Sequence, residues 1–96
     1  MFAEEYLAIV RECSDVEKCF QFLKEDKPGV ALELAKSKNV NPRILDILTR
    51  HASITVRHEV AKNPLTPIET LKRLSSDKDM LVRDYARRNL KALQSL

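Results

Sequence analysis

The sequence predicts an all-α fold, a stack of about three and a half two-helix repeats with a period of 25–26 residues, forming a single domain over residues 1–96. Three observations predict it. The chain of 96 residues holds one glycine, four prolines and no tryptophan, so the glycine-dependent turns of all-β folds and of phosphate-cradling loops are missing. Val30-Ala31-Leu32-Glu33-Leu34-Ala35-Lys36 recurs as Val56-Arg57-His58-Glu59-Val60-Ala61-Lys62 and again as Val82-Arg83-Asp84-Tyr85-Ala86-Arg87-Arg88, each 26 residues after the last. Each half-unit also opens on residues that start helices. A period of this length is the mark of a repeat architecture, in which one unit cannot bury its apolar stripe alone and stacking does it.

The first helix is expected over 3–12, where Leu7, Ile9 and Val10 fall on Leu32, Leu34 and Ala35 at an offset of 25. The second, 15–25, opens on Ser14-x-x-Glu17, a capping box. Its Cys19 to Leu23 fall on Ile44 to Leu48. The third, 29–37, begins near Pro28, and the fourth, 42–50, on Asn41-Pro42, with a side-chain acceptor at the cap and proline at the first helical position. The fifth, 54–62, starts at Ser53 and stops at Asn63, because a residue before proline avoids the α region. Thr66-Pro67-x-Glu69 opens the sixth, 67–75, and Asp77 to Asp79 open the seventh, 79–94. The units are therefore about 1–29, 30–55 and 56–81, with a C-terminal cap, 82–96. Val30, Val56 and Val82, with Leu34, Val60 and Ala86, are the predicted core columns. Ala35 and Ala61 let neighbouring helices approach, and Arg87 at the same column marks a surface facing water.

The unit running from Val56-Arg57 through Val60-Ala61, Asn63-Pro64, Thr66-Pro67, Leu71, Leu74 and Asp77 to Val82-Arg83 resembles the leucine-rich repeat variant, a relative of the HEAT repeats. The match is close over 56–81, fair over 30–55 and faint over 1–29. The resemblance implies a short right-handed α-solenoid of paired helices and, as in most of the wider HEAT-like group, a non-enzymatic binding surface. Some HEAT-like solenoids are instead DNA-repair glycosylases that lay duplex DNA on a basic concave face.

The formal net charge of +3 is mild, but it is unevenly spread. Residues 1–29 carry four cations against seven carboxylates, net −3, and residues 30–96 carry thirteen against seven, net +6. Glu4 and Glu5 stand where a secretion leader carries lysines, no apolar run approaches a membrane span, and two cysteines fit a reducing compartment. A cytoplasmic protein without membrane contact is expected.

Cys13, Cys19, His51 and His58 are the ligand types of a zinc site, but their spacing is not that of one, and no metal or small-molecule cofactor is expected. Ser53, His51 and Asp46 supply the residue types of a hydrolase without its sequence context, and the paired acids Glu4-Glu5, Glu25-Asp26 and Asp77/Asp79 suit helix starts. No enzyme is expected.

The best functional signal is cations in register. Arg11, Lys36, Lys62 and Arg88 share one column and Arg57 and Arg83 another, with Arg50, Lys72, Arg73, Arg87 and Lys91 in the same region. Lys36, Arg57, Lys62, Arg83 and Arg88 are thus the candidate binding residues, a ridge able to meet phosphates of DNA or RNA. Lys36 and Lys62 also suit the last turn of a helix, where a cation offsets terminal carbonyls. Tyr6 and Tyr85 are the aromatic candidates for base stacking. Against this, Phe22, Leu32 and Ile47 are apolar where the third unit is polar, which points to a protein partner or to self-association. A protein-binding module is the leading expectation and nucleic-acid binding the alternative.

Overall fold

The computed structural model describes residues 3–95, which form seven helices and no strand. They are α1 (Ala3–Glu12), α2 (Val16–Glu25), α3 (Val30–Lys36), α4 (Pro42–Leu48), α5 (Ile54–Lys62), α6 (Ile68–Leu74) and α7 (Met80–Gln94). The odd helices lie side by side, α3 between α1 and α5 and α5 between α3 and α7, while α2, α4 and α6 pack behind them. The result is an elongated stack of helical pairs, 42 × 26 × 19 Å.

Local chemistry sets the helix starts. Asn41 accepts from the Arg43 N–H at 2.9 Å with Pro42 behind it, Ser53 accepts from Val56 N–H at 3.4 Å, and Asp79 accepts from Val82 N–H at 3.0 Å. Gly29 precedes α3 with φ 87°, a left-handed conformation that a side chain resists, and an added Cβ would lie 3.3 Å from Leu7. Two starts differ from the sequence expectation. Asp15, not Ser14, caps α2, taking the N–H groups of Glu17 and Lys18 at 2.9 and 3.3 Å. The Thr66 hydroxyl turns back to donate to Val60 O at 2.7 Å, so it closes the turn after α5 while Pro67 begins α6 without a side-chain cap. Helices α4 and α6 end at Leu48 and Leu74, slightly short of expectation, because Arg50, His51, Ser76 and Asp77 donate to carbonyls three residues back and tighten the last turn.

The predicted columns form the core. Val30, Val56 and Val82 are 1%, 5% and 0% exposed, Leu34, Val60 and Ala86 are fully buried, and so are Ala35 and Ala61. Arg87 lies at the surface, donating to Ser75 O at 3.1 Å. The first unit is shifted: Ile9, aligned with buried Leu34, is 54% exposed, and Val10 is buried in its place. The backbone agrees, since Cys13 N–H donates to Val10 O as Ser37 does to Leu34 O and Asn63 to Val60 O. That alignment moves Arg11 out of the column of Lys36 and Lys62.

A polar ladder runs through this core and was not read from the sequence. Asn63 Nδ2 donates to Ala35 O and Ser37 O at 2.9 and 2.8 Å, and Asn89 Nδ2 repeats this one unit later on Ala61 O and Asn63 O at 3.0 and 3.1 Å. Ser37 Oγ starts the series by donating to Arg11 O at 3.0 Å. Each rung satisfies carbonyls left without partners at the end of the preceding odd helix.

Candidate functional site

The five candidate cations fall into two groups. Lys36, Lys62 and Arg88 are exposed on the successive helices α3, α5 and α7. Lys62 Nζ lies 3.7 Å from Glu59 and 5.7 Å from the centroid of the Tyr85 ring, and Arg88 Cζ lies 5.6 Å from the same centroid. Tyr85 meets the His58 ring edge-on at 4.5 Å, and His58 Nε2 is buried without a hydrogen-bond partner among the described residues. Two of the three, Lys62 and Arg88, therefore flank one aromatic ring. Arg11 does not join them, because its guanidinium is paired in bidentate fashion with Glu33 at 2.9 and 3.1 Å.

Arg57 and Arg83 face the loops. Arg57 Nε and Nη2 grip Asp77 at 2.9 and 3.2 Å, while Nη1 donates to His51 O and Ala52 O at 2.9 and 3.1 Å. The pair is largely buried, with side chains 13% and 9% exposed. Arg83 Nη1 makes the same two bonds one unit later, to Asp77 O and Lys78 O at 2.8 and 3.0 Å.

These pairs make stability depend on acid. Burial alone would push the Asp77 carboxyl up, but the hydrogen bonds from Arg57 and the Asp79 N–H, with the charges of Arg57 and Lys78, hold it below its ordinary value of 3.8. The hydrogen bond from Arg11 holds Glu33 below its ordinary 4.5, against the opposing effect of burial. Groups with lowered folded pKa values stabilise fully above the unfolded values and lose that contribution as the pH falls through the folded ones. Urea unfolding should show stability level near neutrality and falling in the acid range below these values. Asp77→Asn should lower the plateau and flatten the acid limb; an unchanged acid limb would contradict the pairing.

The apolar candidates also separate. Phe22 is half-buried edge-on against Tyr6 at 5.6 Å, with Tyr6 Oη donating to Glu25 at 2.9 Å, and Leu32 packs half-buried against the core. Ile47 is 39% exposed. It joins Phe20, Pro42 and Pro67 in a groove of about 390 Å³ across α2, α4 and α6, rimmed by Arg43, Asp46 and Thr70. Asp46 Oδ1 fixes one wall by accepting from Thr70 Oγ1 at 2.9 Å and Arg73 Nη2 at 2.7 Å. Phe20 was not singled out from the sequence, because it aligns with the fully buried Leu45 and Leu71, yet it is 37% exposed. Nothing in its own composition or spacing distinguishes it from them.

Among the described residues no three His, Cys, Asp or Glu side chains converge as a metal site. Cys19 is buried beside Cys13, and that burial, reinforced by the Cys13 thiol and Asp15, pushes its thiol up to about 12. His51 Nδ1 accepts from the backbone N–H of Ser53 at 3.0 Å, while the Ser53 hydroxyl accepts from Val56 N–H. These contacts order a helix start and do not join a base to a nucleophile. Among the described residues no helix is long and apolar enough to cross a membrane. No protein-family model, curated protein or solved structure matches the chain.

Proposed function

We propose that this chain is a non-enzymatic interaction module, a right-handed α-solenoid of the leucine-rich-repeat-variant kind, that works in the cytoplasm by binding a protein partner. The observation that carries this reading is the groove of Phe20, Pro42, Ile47 and Pro67, an apolar recess whose exposed residues lie on α2 and α4 and whose far wall is the half-buried Pro67 at the start of α6. Isolated exposed apolar residues are ordinary, but a concave cluster with fixed walls suits the insertion of one or two apolar side chains. With Asp46 on the rim already paired to Arg73, Arg43 on the same rim favours a segment that also carries an acidic residue.

The second reading, binding of nucleic-acid phosphates, draws support from Lys62 and Arg88 flanking the Tyr85 ring, with Lys36 exposed at the equivalent place on α3. Arg57 contributes little to it, being committed to Asp77 and to loop carbonyls, and Arg83, held by one nitrogen on loop carbonyls, faces the loops. One experiment separates the two. The tagged chain is used to capture a partner from cytosol, beside Ile47→Asp and beside Lys62→Glu with Arg88→Glu, with and without nuclease. A protein retained by wild type and by the double variant, but lost with Ile47→Asp, is the expected result. Retention that survives Ile47→Asp, but disappears with nuclease, with added salt or with the double variant, would replace it with the phosphate reading.

A further inference from the structure

Arg57 shows what its loop slot holds when filled. One nitrogen, Nη1, is fixed on two loop carbonyls, and the other side of the guanidinium grips the Asp77 carboxylate. Arg83 repeats the first half of that arrangement at the equivalent carbonyls. Its second half is open, since among the described residues neither Nε nor Nη2 of Arg83 donates to any acceptor. Arginine presents a planar pair of donors that matches a carboxylate, and a fork already anchored by Nη1 loses less freedom when a carboxylate arrives.

A matching carboxylate lies at the opposite end of the stack. Asp26-Lys27, in the turn after α2, repeats as Asp77-Lys78 in the turn after α6. Asp26 is exposed, sits at φ 48°, and its carboxylate has no hydrogen-bond or ion-pair partner among the described residues. α2 belongs to the first pair of helices and α7 closes the stack, so Arg83 and Asp26 cannot meet within one chain. The surrounding charge agrees: residues 1–29 are net −3, whereas residues 82–96 carry Arg83, Arg87, Arg88 and Lys91 against Asp84 alone. Met80 and Leu81, 63% and 55% exposed in the first turn of α7, which also carries Arg83, add apolar surface at that end of the stack.

We propose that the chain associates head to tail with a second copy of itself, the Arg83 guanidinium of one copy receiving the Asp26 carboxylate of the next. Such a contact uses two different surfaces, so it grows into an open chain of copies or closes into a ring rather than stopping at a symmetric pair.

Sedimentation velocity on the full chain tests this over a range of concentrations. Wild type should associate with rising concentration at low salt and be monomeric in about 1 M salt, where the screening length falls to about 3 Å. Arg83→Glu and Asp26→Lys should each weaken association about tenfold or more, the size of a lost charge-assisted double hydrogen bond. An equimolar mixture of the two variants should associate again, because opposite charges are restored across the contact. Asp26→Asn removes the charge at an exposed site while keeping a residue that tolerates the left-handed backbone, so it reads the contact without endangering the fold. A wild type that stays monomeric at low salt, an Asp26→Asn chain that associates like wild type, or a mixture that stays monomeric would overturn the proposal.

Discussion

Asn63→Ala is expected to destabilise the fold by about 3 kcal/mol, since it strips partners from three groups, each costing about 1 kcal/mol or more when left unmet. Asn63 is 4% exposed, and besides its two donations to Ala35 O and Ser37 O its Oδ1 accepts from Leu65 N–H at 2.9 Å. No water replaces those bonds readily at a site so enclosed. Asn63→Asp separates hydrogen bonding from volume. It has the same shape but points a carboxylate at two carbonyl oxygens, so at neutral pH it should be at least as damaging. Urea unfolding followed by circular dichroism measures both, and a loss below about 0.5 kcal/mol, the usual size of a surface substitution, would mean the ladder contributes nothing.

Leu71→Ala is the second large effect, with an expected loss of about 2–4 kcal/mol from transferred methyl groups plus the cavity left behind. Leu71 is fully buried in the common core with Leu74, Val60 and Val82, on a helix that packs against both α5 and α7. Ile47→Ala is the control. That side chain is of similar size but 39% exposed, so it removes less buried surface and should cost clearly less. Equal losses at the two positions would contradict the assignment of Leu71 to the seam and Ile47 to the groove.

Much of the fold was legible because its signals are local. Pro42 and Pro64 stop or start helices through their own rings, Asn41 and Ser53 reach N–H groups two or three residues on, and the Val30, Val56 and Val82 column follows from spacing alone. The misreadings came where one residue had two local choices. Thr66 had a following helix to cap and a preceding carbonyl to satisfy, and the buried carbonyl of Val60 took the hydroxyl. Asp15 displaced Ser14 because a carboxylate accepts two N–H groups at the positive end of α2.

The candidate site was legible only as a column. Spacing put Arg57 in line with Arg83, but the partner that removes Arg57 from any ridge, Asp77, lies 20 residues away and is reached only after the pair of helices folds back. The Asn63 and Asn89 ladder was visible as two asparagines 26 residues apart, yet Asn63 had a sufficient explanation as the residue before Pro64. Phe20 carried no signal, because its exposure depends on how α2 sits against α3 and α4, a matter of packing rather than of pattern.

The ladder also bears on how the chain comes apart. In a linear array the free energy divides into terms internal to each unit and coupling terms between nearest neighbours, and only the coupling makes distant units melt together. Ser37, Asn63 and Asn89 each donate backwards into the preceding unit, so that part of their contribution is coupling, while the bonds that Asn39 and Leu65 N–H make to Ser37 and Asn63 stay within a unit. α3 and α4, with seven residues each, are far too short to persist alone. A weakened rung would therefore appear first as lost sharpness, the two ends of the chain melting at different denaturant concentrations, before the mean midpoint moved far.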